Sequence, residues 1–349
     1  MDVGPSYVMD DVDIVNINQY STLTMSTWVI EMPTILITGG HKGLGLETTT
    51  RVAQLGGFDI VLGGRNHSEV SSVAHDISAK YGANVRTVDL DVSSLASVRA
   101  AAGLVQNLVQ DGAVAPLQAL MLNAGAQFMG PVEYSPDGYE KTFATNCLGH
   151  FLLLNLLLED IRPHGRIVFT ASGTHDPDTM DGKMVGKAEE PDAVKLANEG
   201  KTGKPLSPGK RYSTSKLCTI MYAYELDRRL RATGSSFRSI AFDPGLIVET
   251  SLARTAPPLM QRVARTGFAK RLVKTLGVTM GSLAFSGDAL ARVAIDPAFA
   301  RASGKYMQSR NGQLIETRSS AMSYDIERAR KLWADSETLV GLPSKAQGA

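Results

Sequence analysis

Tyr212 and Lys216 lie four residues apart in YSTSK, a spacing that sets a phenol and an ammonium on one face of a helix. A phenol of ordinary pKa, about 10, exchanges protons poorly at neutral pH until a nearby positive charge stabilises its phenolate, and Lys216 supplies such a charge one turn away. Ser172 closes the run RIVFTAS with a hydroxyl suited to holding a substrate oxygen. Asn146 in FATNCLGH brings an amide able to position a water between Lys216 and solvent. The chemistry these four types describe is proton transfer at an oxygen. A Tyr and a Lys at this spacing are common by chance, so the order and register of the neighbouring motifs carry the weight.

Those motifs describe an anion-binding crevice. TILITGGHKGLG places Gly39, Gly43 and Gly45 between a strand and a helix, where the missing Cβ atoms let backbone approach a pyrophosphate at the helix N-terminus. DIVLGGRN ends in Gly64 and Arg65, where a site for NAD would offer a carboxylate to the ribose diol. Lys42 and Arg65 instead suit a 2′-phosphate, which points to NADPH. Asp91 in VDLDV faces the adenine side. Asn123, Ala124 and Gly125 in LNAG reach the same crevice, Asn123 either touching the ligand or tying adjacent strands together.

Strands alternating with amphipathic stretches must position these groups. Strands are predicted at 34 to 38, 59 to 63, 84 to 89, 117 to 122, 166 to 171, 238 to 243 and 304 to 308. Helices are predicted at 43 to 56, 68 to 81, 94 to 111, 136 to 160, 213 to 233 and 280 to 295. Residues 1 to 32 read as a weakly ordered extension, 33 to 340 as the folded domain and 341 to 349 as a tail. Within the domain, 175 to 211 reads as an insertion. Residues 246 to 279 read as a substrate lid, with Leu252, Leu259, Met260 and Phe268 as a greasy ceiling.

Composition bounds the function classes. A net charge of +1 among 349 residues gives no global field for nucleic acid. Basic residues among apolar ones between Thr250 and Gly287 leave peripheral membrane contact open, but the longest apolar run, Phe151 to Leu158, is too short to span a bilayer. The first 32 residues carry four aspartates and neither Lys nor Arg, the wrong polarity for a presequence. Cys147 and Cys218 sit in apolar stretches, so a reducing, cytoplasmic setting is expected, without disulfides. No His, Asp and Glu spacing suggests a metal. His150 and His175 lie near the catalytic group but read as hydrogen-bonded structural residues.

TGxxxGxG, NAG and YxxxK in this order resemble the short-chain dehydrogenase/reductase superfamily over residues 33 to about 340. The resemblance implies a Rossmann-type, doubly wound, seven-stranded parallel sheet in a single three-layer α/β/α domain. It implies a tetrad of Asn146, Ser172, Tyr212 and Lys216. It extends the cofactor contacts to Leu44, Val92, Tyr212, Lys216 and the PG pair, Pro244 and Gly245, followed by Ile247 and Thr250. TNCLGHFLLLNLLL and PGKRYSTSKLCTIMYAYELDRRL are similar to the protochlorophyllide reductase and retinol dehydrogenase-like subgroup. That pattern has His at Cys147 and Cys at Leu246, and the second departure argues against pigment photoreduction.

The expected activity is NADPH-dependent reduction of a carbonyl on a bulky, lipophilic small molecule, with reduction of a conjugated carbon–carbon double bond as the alternative. A non-catalytic NADPH sensor would show a degraded tetrad, whereas all four residues are present. Helices 136 to 160 and 213 to 233 form the usual dimer face of the family; a monomer and a homo-oligomer both remain open.

Overall fold

The computed structural model describes residues 32–247 and 278–343. Its first half winds as β1 (Thr34–Thr38), α1 (Gly43–Leu55), β2 (Asp59–Gly64), α2 (His67–Tyr81), β3 (Val85–Asp89), α3 (Leu95–Gln110) and β4 (Leu117–Leu122). After β4 come α4 (Lys141–Phe143), a π-helical turn (Ala144–Leu148) and α5 (Gly149–Leu157), then β5 (Ile161–Thr170). The chain continues through α6 (Met180–Val185), α7 (Ala193–Ala197), α8 (Pro208–Ala232), β6 (Arg238–Asp243), α9 (Leu283–Ile295), β7 (Lys305–Arg310), β8 (Gln313–Thr317) and α10 (Ile326–Leu339).

One sheet runs in the order β3-β2-β1-β4-β5-β6-β7-β8. Strands β1 to β7 pair in parallel, and the order reverses direction between β1 and β4, which opens a crevice at their carboxyl ends. Alternation along the strands builds two cores. Leu36, Val61, Leu120, Ile167 and Ala241 pack toward α3, α5, α8 and α10. Ile35, Ile60, Met121, Val168 and Ile240 pack toward α1, α2 and α9 on the opposite face. Strands buried on both faces are why these runs are almost wholly apolar.

The sheet corrects the expected count: it has eight strands, and the last is antiparallel. Asn311 and Gly312 both take positive φ, 53° and 80°, the geometry of a type I′ turn that folds β8 back on β7. Strand β5 starts at Ile161 rather than 166, because His164, at φ 64°, and Gly165 absorb a register shift against β4. The helix expected over 136 to 160 starts at Lys141 and changes pitch without a gap, through α4, the π-helical turn, α5 and a 3-10 turn at Leu158–Asp160.

Helix α8 begins five residues earlier than expected. Ser207 accepts from the Lys210 N–H, and Pro208 occupies the first turn, where its missing N–H costs nothing. The end of the expected insertion is therefore this helix's first turn. Helix α10 has no counterpart among the expected elements. Its Ala329, Leu332, Trp333 and Ser336 are buried at helical spacing, and the Trp333 ring meets Phe151 at 4.8 Å between centroids. Burying a side chain of this size contributes roughly 1.5–3 kcal/mol, so α10 anchors on α5 and α8 rather than trailing.

Candidate active site

The glycine turn after β1 is tight. Gly39 has φ +67° and Gly43 +50°, and a Cβ on Gly45 would lie 2.2 Å from the Gly39 carbonyl oxygen. No side chain caps the first turn of α1, so its backbone N–H groups stay available to an anion. Leu44 is buried beneath this turn. At its rim Lys42 pairs with Glu69 at 2.7 Å, while the exposed Arg65 forms no ion pair among the described residues.

Asn123 ties the ends of β1 and β4 together. Its side-chain amide donates to the Thr38 carbonyl at 3.0 Å, and its backbone N–H donates to Thr38 Oγ1 at 2.9 Å. The Ala124 N–H reaches the same hydroxyl at 2.9 Å. Thr38 Oγ1 also lies 3.4 Å from the Met121 carbonyl and 2.9 Å from His150 Nε2, and the His150 ring bonds the Asn146 backbone on its other side. A neutral ring with its proton on Nδ1, donating to the Asn146 carbonyl, satisfies both contacts. Burial, reinforced by the charge of Lys216, pushes its pKa down to about 3, and the Asn146 carbonyl draws the other way.

Asn146 stands in the π-helical turn, a geometry that recurs at functional sites. Its Oδ1 accepts from the Ala126 N–H at 2.9 Å, and its Nδ2 donates to the Ala126 carbonyl at 3.0 Å and to Ser215 Oγ at 2.9 Å. The side chain thus locks the loop after β4 to α8. A Cβ on Gly125 would lie 3.2 Å from Asn146 Oδ1 and 3.5 Å from Lys216 Nζ, so both groups flank that one glycine.

Tyr212 and Lys216 project from one face of α8, with the ammonium 5.8 Å from the ring centroid. Lys216 Nζ donates to the Thr170 carbonyl at 2.8 Å. Burial lowers the Lys216 pKa to about 8. Burial also pushes the Tyr212 phenol up to about 12, against a downward pull from the Ser172 hydroxyl. Desolvation outweighs the expected lowering by Lys216, whose ammonium gives one of its protons to Thr170. The phenol therefore keeps its proton at neutral pH. Ser172 Oγ also accepts from Thr174, from the N–H at 3.4 Å and the hydroxyl at 3.2 Å.

Arg211, which the sequence reading passed over, fixes the start of α8. Its buried guanidinium pairs with Glu140 at 3.2 Å and donates to the carbonyls of Leu206 and Gly130 at 2.8 and 3.1 Å. Removing one partner of such a pair leaves an uncompensated buried charge. Its neighbour in the chain is Tyr212, so the phenol inherits this anchoring.

The remaining expected contacts surround the same edge of the sheet. Asp91 Oδ1 accepts from the N–H and hydroxyl of Ser93 at 2.9 and 2.7 Å, which stabilises the turn into α3, and Val92 is buried there. The Pro244 carbonyl accepts from Ser286 at 2.7 Å, and Gly245, at φ +69°, donates its N–H to Asp243 at 2.9 Å. Ile247 is buried. Thr250 and most of the expected lid lie outside the described residues.

Behind Gly173 is a recess of about 150 Å³, lined in part by His175, Asp181, Tyr306 and Arg310, and its walls are largely polar. His175 Nδ1 donates to the Ser172 carbonyl at 2.8 Å, and Nε2 accepts from the Ser320 N–H at 3.0 Å. His150 and His175 are both committed structural groups. Among the described residues no helix is long and apolar enough to cross a membrane.

The family model for short chain dehydrogenase matches residues 33–179. Protochlorophyllide reductase of Pisum sativum, a protein named as chloroplastic, is 34% identical over 325 residues, covering 88% of this chain and 78% of that protein. An uncharacterized protein from Mycobacterium Paratuberculosis has a similar structure at TM-score 0.65 and 26% identity, covering 91% of this chain and 96% of the other. L-sorbose reductase from Gluconobacter frateurii, crystallised with NADPH and L-sorbose, shares the fold at TM-score 0.61 and 18% identity, over 83% of this chain and 98% of that one. The motifs, their placement along one sheet edge and these likenesses put the chain in the short-chain dehydrogenase/reductase family of oxidoreductases.

Proposed function

We propose that the chain is an NADPH-dependent reductase acting on the carbonyl of a bulky, hydrophobic small molecule, with Tyr212 as proton donor. The observation that carries this reading is the Tyr212 phenol beside Ser172 and Lys216, with Gly125 next to Lys216 and Ala124 next to Gly39 of an uncapped glycine turn. The turn fits a dinucleotide. A Cβ at Gly45 would meet the Gly39 carbonyl, so only glycine lets the turn close this tightly, and no side chain caps the first turn of α1. Lys42 and Arg65 are two cations at the rim, where a 2′-phosphate belongs. Asp91 would face the adenine side of the bound cofactor, and Pro244, Gly245 and Ile247 would border its nicotinamide.

When bound, the reduced nicotinamide supplies the hydride. Ser172 Oγ holds the carbonyl oxygen, and Tyr212 passes its hydroxyl proton to that oxygen as negative charge develops there. The phenolate left behind is stabilised by the Lys216 ammonium and recovers its proton through Lys216, with Asn146 holding the water path. Burial makes the proton hard to release in the resting site, so release is coupled to charge on the substrate oxygen rather than to solvent.

Reduction of a conjugated double bond is the second reading, favoured by the likeness to a protein named protochlorophyllide reductase. Leu246 follows the PG pair, so photoreduction of a pigment is not part of the reading. Residues 246 to 279 serve as the lid and 175 to 211 as the insertion. Both cysteines are buried and free, which suits a reducing, cytoplasmic setting. The test is a screen of hydrophobic ketones, aldehydes and enones for substrate-dependent NADPH oxidation, followed by product analysis with deuterated NADPH. Deuterium on a carbinol carbon supports the first reading, and deuterium on a saturated carbon beside an intact carbonyl supports the second. Tyr212→Phe should abolish turnover while leaving NADPH affinity nearly intact; normal turnover in that variant removes the mechanism.

A further inference from the structure

His41, in the middle of the glycine turn, has no role in the mechanism above and an unusual environment. A Cβ built on Gly64 would lie 2.6 Å from His41 Cε1, 2.8 Å from His41 Nδ1 and 2.7 Å from Val70 Cγ2. The imidazole therefore occupies the space that a side chain at the end of β2 would need, between the turn and the first residues of α2. Its Nδ1 is buried and has no hydrogen-bond partner. An orphaned ring nitrogen in a folded interior costs about 1–3 kcal/mol, an expense that a ligand atom arriving at the site would remove.

The charges facing the ring come from three elements. Lys42 lies beside it in the turn, Arg65 follows β2, and Glu69 belongs to α2 and is held by Lys42. Burial and the two cations lower the imidazole pKa below its ordinary value, while Glu69 opposes them. In the absence of ligand His41 is thus neutral at physiological pH. A phosphate group between Lys42 and Arg65 reverses the local field.

We propose that His41 is a third contact for the 2′-phosphate of NADP(H), acquiring its proton as the cofactor binds and so setting the preference for the phosphorylated dinucleotide. The inference rests on the NADPH reading and adds to it a residue and a coupled proton. An opposite charge within hydrogen-bonding range favours the protonated imidazole, and linkage then requires that binding take up a proton. The phosphate's own response has the opposite sign. Its second pKa, about 6 in the free group, falls beside Lys42 and Arg65, so binding releases protons from the ligand. Net uptake identifies the protein as the acceptor.

The experiment is calorimetric titration of the full chain with NADP⁺ and with NAD⁺, near neutral pH, in two buffers of different ionisation enthalpy, for the wild type and for His41→Asn. The expected result is uptake of a substantial fraction of one proton with NADP⁺ and none with NAD⁺. NADP⁺ affinity should weaken with rising pH by up to about tenfold per unit. His41→Asn should lose the uptake and bind NADP⁺ several-fold less tightly with NAD⁺ affinity unchanged, which also shows an intact turn. Equal uptake in the variant, or NADP⁺ affinity unchanged in it, overturns the role of His41 and leaves the cofactor reading standing. A wild type that fails to bind NADP⁺, or that prefers NAD⁺, overturns the cofactor reading and this inference together.

Discussion

Acid should destabilise this protein through His150, and the size of the effect follows from its surroundings. The imidazole is buried and its Nε2 shares a hydrogen bond with the Thr38 hydroxyl, so a second ring proton has no favourable place. Its pKa is near 3 in the fold against 6.5 when free. Between those values the unfolded chain binds a proton that the native chain refuses, so stability present at neutral pH is lost progressively as pH falls below the unfolded value. At a pH of about 5 the gap corresponds to about 2 kcal/mol from this one residue, a large share of a typical domain's stability of about 5–15 kcal/mol. His150→Gln keeps an acceptor for Thr38 but cannot titrate. Urea unfolding followed by circular dichroism, at about pH 7.5 and pH 5, should show a smaller acid-induced loss in the variant by about 2 kcal/mol. His175, whose pKa is also lowered by burial, remains in both proteins and cancels in the comparison. The same loss on acidification in both proteins would refute the assignment of His150 as a neutral, doubly committed ring.

Gly45→Ala places a methyl 2.2 Å from the Gly39 carbonyl oxygen and 2.7 Å from Asn123 Nδ2, so the turn must open; NADPH affinity, followed by fluorescence titration, should fall at least about tenfold. With the Lys216 pKa lowered to about 8, reductive turnover should decline as pH rises through that value, since the ammonium is lost above it. A rate that stays flat well beyond it would show that Lys216 charge is not required. Removing residues 1 to 31 should leave the thermal midpoint and turnover unchanged, and an unfolded truncation would show that the extension is part of the folded body.

The groups readable in one dimension were those whose chemistry depends on near neighbours. TGGHKGLG specifies a strand, a turn of positive-φ glycines and a helix start within eight residues, and YSTSK specifies two side chains one helical turn apart. Apolar strands buried on both faces announce a parallel sheet for the same local reason. The antiparallel β8 and helix α10 were absent from the expected elements, although Asn311-Gly312 is a hairpin signal and Ala329, Leu332, Trp333 and Ser336 have helical spacing. The π-helical turn at Asn146 was not legible in the sequence. It belongs to a helix whose Gly149 approaches Val92 so closely that a Cβ would stand 1.9 Å from the Val92 carbonyl oxygen, a contact between segments far apart in the chain.

Local spacing therefore determined which residues belong to the candidate catalytic group and the glycine turn, because helix pitch and strand ends deliver them without outside help. Only the tertiary structure decided their protonation and commitments. The phenol of Tyr212 is raised rather than lowered because α8 is buried, not because of its distance from Lys216. Asn123 is a strand tie because Thr38 lies opposite it, and His41 is an orphan because β2 ends in a glycine beside it. Solvation and hydrogen-bond partners are properties of the packed interior, and these partners come from parts of the chain that sequence spacing does not join.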